Sequence, residues 1–233
     1  MGDLLLQTLA CIASLILYII PCVMILLPVR FLTRVPDFVF RKLLHIVAFS
    51  CITVMILTTR QWQPAALTSL ILAAAIYPLL RALERHAWYE KLFVEKRPGE
   101  VRMSLWMLFG IYTLIITVVW GLFGRADIAA ASILMWGVGD GVAALVGIPF
   151  GRHKIRLPLV DGKKSWEGTA ANLLAAFLIG GAVFLLRGMP MTQVLKMCLP
   201  AAVLGACTEM VSPSEWDTVT VPLVIAAALL LLA

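Results

Sequence analysis

An all-α, polytopic transmembrane bundle of about eight spans follows from three features: overall apolarity, the grouping of apolar residues, and the placement of cations. The chain has 233 residues, 62% hydrophobic and 14% charged, with mean hydropathy +0.98. A soluble core of this size cannot hide so much apolar side chain, so lipid must cover the rest. The apolar residues fall into Leu4–Leu27, Leu43–Thr58, Pro64–Leu80, Ser104–Phe123, Ile128–Ile148, Thr169–Leu186, Val194–Val211 and Val219–Ala233. A helix crossing hydrocarbon needs about 20 residues. The second and last segments fall short of that, so tilt, re-entry or a thinned bilayer is expected at one of them, and the span count lies between six and eight. No Gly/Ser linker, low-complexity tract or internal repeat divides the chain. Residues 1–233 read as a single integral membrane domain.

The first segment is too long for a cleaved signal peptide and lacks its positive start, so it reads as a span. Met1-Gly2 resembles an acylation start, but Leu6 occupies the place of the required Ser or Thr. The second segment is entered through Asp37 to His45, DFVFRKLLH. There the i to i+4 spacing brings Arg41 and His45 to one side of a helix start, with Lys42 beside them. Between the third and fourth segments lies the longest polar stretch, Arg81–Met103. Leu83, Trp88 and Leu92 can share a helical face, Trp88 and Tyr89 suit the headgroup level, and Pro98-Gly99 ends the run. An interfacial helix is expected there. The fifth segment carries Asp140 among Gly137, Gly139 and Gly141, nine residues from its end and roughly 13 Å deep. The glycines imply either a broken helix or very close packing. Cys11, Cys22, Cys51, Cys198 and Cys207 all lie in apolar segments without metal-ligand spacing and read as small core residues.

Cation placement sets orientation. One loop holds Arg30, Arg34, Arg41 and Lys42. A second holds Arg81, Arg85, Lys91, Lys96, Arg97 and Arg102, and a third Arg152, Lys154, Arg156, Lys163 and Lys164. Only Arg60, Arg125, Arg187 and Lys196 remain of the 19. With eight spans the three basic loops share one side, which should be cytoplasmic, with both termini outside. The net charge of +6 then answers anionic lipid headgroups and not nucleic acid.

The chemistry-bearing residues gather on that side. A carboxylate in lipid is costly, so Asp140 calls for a cation, a proton or water nearby; its bland reading is a structural ion pair. Lys163, Lys164, Ser165 and Glu167 form a Gly-Lys-Lys-Ser-Trp-Glu-Gly turn. Ordinary positive-inside flanking explains the lysines but not such a turn opening a helix, where backbone N–H groups favour anions. Glu209 and Asp217 end one segment and open the next. Singly each reads as a solvated cap, but with Asp140, Glu167 and the paired lysines they suit Mg²⁺ against a polyphosphate. His45 alone is an ordinary interfacial histidine, and near phosphates a contact or proton acceptor. The run is not a P-loop, because Gly162-Lys163 lacks the earlier glycine and is followed by lysine. Protein-kinase signatures are absent.

Four stretches resemble the membrane CTP-dependent lipid kinases, the family of dolichol kinase, phytol kinase and the yeast-type diacylglycerol kinase. They are Arg41-Lys42-Leu43-Leu44-His45, Arg97-Pro98-Gly99-Glu100, Gly139-Asp140-Gly141 through Gly151-Arg152, and Gly162 through Thr169. Glu209 with Asp217 and Val221-Pro222 resembles the closing motif, with Thr218 where asparagine usually follows the aspartate. The resemblance implies γ-phosphoryl transfer from CTP, with Mg²⁺, to a membrane lipid alcohol such as a polyprenol, a phytol-like alcohol or diacylglycerol. It further implies Lys163 and Lys164 on phosphates, Asp140 and Glu209 on the metal, and Glu167 orienting a lysine or the metal. Arg41, Lys42 and His45 would close over the triphosphate. Gly139, Gly141, Arg152 and Ser165 would complete the nucleotide site, and Asp140 or Asp217 would accept the lipid hydroxyl proton. Phosphatidate cytidylyltransferases share a similar aspartate-to-lysine stretch, but their C-terminal signature is not found in these residues, so cytidylyl transfer is the runner-up. A cation- or proton-coupled transporter built on Asp140 is the alternative of another class, against which the lysine-rich turn argues. Assembly into homo-oligomers is left open.

Overall fold

The computed structural model describes residues 2–33, 35–86, 89, 99–156, 162, 164–213 and 216–233. The elements formed by these residues are α1 (Gly2–Leu32), α2 (Asp37–Thr58), α3 (Trp62–Leu83), α4 (Glu100–Leu122), α5 (Ala126–Phe150), α6 (Trp166–Leu186), α7 (Met191–Val211) and α8 (Asp217–Leu232). Seven helices, α1 to α7, are long and apolar enough to cross a membrane. This is an integral membrane helix bundle. Helix α8 is apolar but has 16 residues, about 24 Å at the helical rise, and falls short of a full crossing.

The second apolar segment is not short once folded. The polar turn Asp37–Lys42 is itself helical and extends α2 to 22 residues, with Pro36 fixing the backbone just before it. The polar stretch between α3 and α4 is described at its ends and at Tyr89, which is buried. Leu83 closes α3, and Gly99, at φ +79°, precedes α4. Trp88, Leu92 and Pro98 of the expected interfacial helix lie outside the described residues, as do Arg34, Lys91, Lys96 and Arg97. From Ile116 to Leu122, α4 widens into a π-helical stretch before Gly124 ends it.

Helix α5 is the axis of the bundle. It packs most extensively on α6, then on α2 and α8, and touches α4 and α7. Its N-terminal half, Ile128 to Gly137, is buried on every side, as expected of a helix apolar all round. Helix α1 is peripheral: it leans on α2 and α3 and exposes Leu5, Leu6, Leu17 and Ile25 to the surroundings. At the centre, Phe49 of α2 meets Trp136 of α5 edge to face at 4.7 Å and Tyr112 of α4 at 5.5 Å. Cys11, Cys51 and Cys198 are buried as expected and Cys22 is half-buried, but Cys207 faces outward from α7.

Candidate active site

Helix α5 runs unbroken through Asp140, ten residues before its end, so close packing and not a break explains the glycines. A side-chain carbon at Gly139 would collide with Oδ1 of Asn172 on α6. One at Gly141 would stand 2.6 Å from Cγ1 of Ile46 on α2. The two glycines thus let α6 and α2 close on opposite flanks of the same turn. That approach carries the start of α2 onto Asp140. Lys42 Nζ donates to Asp140 Oδ2 at 2.7 Å, and His45 Nε2 stands 3.2 Å from the same oxygen without the alignment of a hydrogen bond. His45 also leans on Phe49, at 4.3 Å between rings, which ties it to the aromatic core. Arg41, one helical turn before His45 on α2, is exposed, while Lys42, three positions before it, shares the carboxylate with His45.

A second ion pair stands across the cleft. Lys164 Nζ is 3.1 Å from Glu209 Oε1, and it also donates to the carbonyl of Glu209 and, at 3.0 Å, to that of Ser212. These carbonyls close the C-terminal end of α7, where an ammonium group satisfies both the unpaired oxygens and the helix dipole. Lys164 is therefore a helix clamp in this state. Asp217 opens α8 and lines the same cleft, yet no ion pair among the described residues includes it.

The loop between α5 and α6 is drawn together by an isolated bridge between Lys154 and Ser165. The Ile155 N–H donates to the Lys164 carbonyl, and the Trp166 N–H to that of His153, both at 3.0 Å. Ser165 caps α6 by accepting from the Gly168 N–H at 3.2 Å, while the Thr169 N–H takes the Ser165 carbonyl at 2.9 Å. The first-turn N–H groups that the sequence offered to an anion are largely engaged within the protein. Glu167 turns to the loop, not to a lysine. It accepts from the backbone N–H of Arg152 at 3.2 Å and of His153 at 3.1 Å, and pairs with the His153 ring at 2.7 Å. Arg152 is exposed on the rim, and Lys163 lies outside the described residues.

The cleft between these groups holds about 190 Å³. Its ionic wall is Asp140, Lys164, Glu209 and Asp217, and its apolar floor is Ala143, Ala144, Gly147 and Ile148 of α5. Thr169, which the sequence reading left without a role, lines it as well. Its only signal was position, at the end of the stretch beginning at Gly162. Among the described residues no three His, Cys, Asp or Glu side chains gather closely enough to hold a metal by themselves. Mg²⁺ keeps several waters and commonly takes one or two carboxylates plus substrate phosphates. The donor set fits that mode. With Lys42 included and all ionised, three carboxylates oppose two ammonium groups, an excess of negative charge that a bound cation would offset.

Comparison with known proteins finds a curated relative. Over 152 residues the chain is 36% identical to the phytol kinase of Synechocystis sp. (strain ATCC 27184 / PCC 6803 / Kazusa). The chain is a homologue of that kinase. This supports the resemblance to the lipid kinases that its motifs carry. The matched stretch covers 64% of this chain and 56% of the relative, so the chain spans little more than half the length of the protein it matches. No family model matches the chain, and no solved structure matches it.

Proposed function

We propose that this protein is a lipid-alcohol kinase, transferring the γ-phosphoryl group of CTP to the hydroxyl of a single membrane lipid at the cytoplasmic face. The observation that carries the reading is the convergence of Asp140, Glu209 and Asp217 with Lys42 and Lys164 on one cleft at one end of the bundle. The phytol kinase homologue supports an alcohol acceptor, and the motif resemblance supports CTP as donor.

Phosphoryl transfer asks for charge neutralisation and in-line positioning more than for covalent chemistry. Asp140 and Glu209 would hold Mg²⁺ arriving with the triphosphate, whose bound charge would draw electrons from the phosphate oxygens. Lys42 and Lys164, freed from those carboxylates, would turn to the phosphates, each ion pair exchanging partners as the nucleotide enters. Lys163, next to Lys164, would add a third cation, with Arg41 and Arg152 at the rim. Asp217 would take the proton of the lipid hydroxyl, since its carboxylate is not committed to a lysine. His45 would hold Asp140 in place, Ser165 and Glu167 would hold the loop and helix that carry Lys164, and Gly139 and Gly141 would keep the helices close enough to do so. The alcohol would enter sideways along the Ala143 to Ile148 floor while its tail stays in lipid. Incubating purified protein with CTP and phytol tests the reaction. A kinase yields phytyl phosphate and CDP, whereas pyrophosphate with a CDP-lipid from phosphatidate would show cytidylyl transfer instead.

A further inference from the structure

Threonines in helices can return their hydroxyl to the carbonyl four residues back. Thr8, Thr58, Thr113, Thr208 and Thr220 all do so here, at 2.7 to 3.0 Å. Thr169 does not. Its Oγ is shut off from water and has no hydrogen-bond partner among the described residues, although the residue lines the cleft. Thr53 shares the lack of a partner but sits in the apolar core, away from the cleft. An unsatisfied hydroxyl on a residue that lines an ionic pocket is a donor that one turn about χ1 would offer to a ligand there.

The ligand can be narrowed by chemistry. Asp140, Glu209 and Asp217 only accept hydrogen bonds when ionised, so a lipid hydroxyl already has partners for its proton. The lysines are tied in ion pairs until a nucleotide enters and are charged donors thereafter, and the first-turn N–H groups of α6 are largely engaged. Thr169 is thus an uncommitted neutral donor in the wall, suited to an oxygen that gathers negative charge. At about 190 Å³ the cleft is smaller than the roughly 300–1,000 Å³ of sites that enclose a whole small molecule, so phosphate and not nucleobase fits beside Thr169.

We infer that the Thr169 hydroxyl hydrogen-bonds an oxygen of the phosphoryl group in transit, an inference that rests on the kinase reading above. In that step the lipid oxygen forms a bond to the γ-phosphorus, and the bond to the β,γ-bridging oxygen breaks. The electron pair leaves with the nucleoside diphosphate, and the lipid hydroxyl proton passes to Asp217. Thr169 keeps its own proton and stabilises the oxygen as charge spreads over it.

The test compares Thr169→Val, which keeps the shape, with Thr169→Ser, which keeps the hydroxyl, in the purified full chain. Phytol is the acceptor and CTP or ATP the donor. The valine variant should lose about a hundredfold in kcat with little change in KM or thermal midpoint, the loss typical of one transition-state donor. The serine variant should recover most of the turnover. Wild-type kcat in the valine variant, or equal losses in both variants with a lowered thermal midpoint, would overturn the inference while leaving the kinase reading standing. A wild-type protein that phosphorylates no alcohol with either nucleotide would overturn both.

Discussion

A carboxylate within a membrane helix persists only beside a cation or a ligand, and Asp140 has Lys42 at 2.7 Å. Asp140→Asn keeps the shape and removes the charge, so phosphorylation should fall to background while the protein still elutes as a single folded species from a sizing column. Retained turnover would take Asp140 out of the chemistry. Lys42→Met does the opposite damage, leaving the carboxylate without its partner. It should lower stability by about 1–3 kcal/mol, read as a drop in thermal midpoint in detergent. At this scale the sequence was legible where lipid makes charge expensive, which singled out Asp140 and, through the lysine turn, Lys164. It was silent on partners. Lys42 and Asp140 are 98 positions apart, and Lys164 reaches Glu209 and Ser212 on another helix, pairings that only the packing creates. Glu167 misled for a related reason: its neighbours in sequence are lysines, but its neighbours in space are the backbone amides of Arg152 and His153.

The elements supply the site through close approach. Gly139→Leu would force α5 from Asn172 on α6, and overpacking of this kind costs about 1–3 kcal/mol. A lowered unfolding midpoint together with lost turnover is expected. Ser165→Ala removes the cap of α6 and should cost about 1 kcal/mol, with activity reduced because Lys164 adjoins the cap. All eight apolar segments became helices, since apolar chain in lipid has few other ways to satisfy its backbone. The length of α2 was misjudged because its first turn is polar: hydropathy marks where lipid begins, not where a helix does. The three glycines around Asp140 signalled an unusual feature, but composition alone could not choose between a break and contact. The collision that a side chain at Gly139 would make with Asn172 decides for contact.

Across the whole molecule, the helices alternate so that the starts of α2, α6 and α8 and the ends of α5 and α7 meet at one end of the bundle. The bias of basic loops toward that end predicts that it faces the cytoplasm. In a variant without native cysteines, a membrane-impermeant thiol reagent added outside intact cells should label Arg187→Cys and spare Arg156→Cys, both exposed loop positions. The reverse pattern would invert the orientation. The kinase reading joins this arrangement to the phytol kinase homologue, and one experiment bears on both. Protein in nanodiscs is given γ-labelled CTP, γ-labelled ATP and, in turn, phytol, a polyprenol and diacylglycerol, and the lipid phase is counted. Label should pass from CTP to one of the alcohols in the wild type and to none with Asp140→Asn. Lipid left unlabelled by the wild type with every donor and acceptor, or labelled equally by Asp140→Asn, would contradict the account.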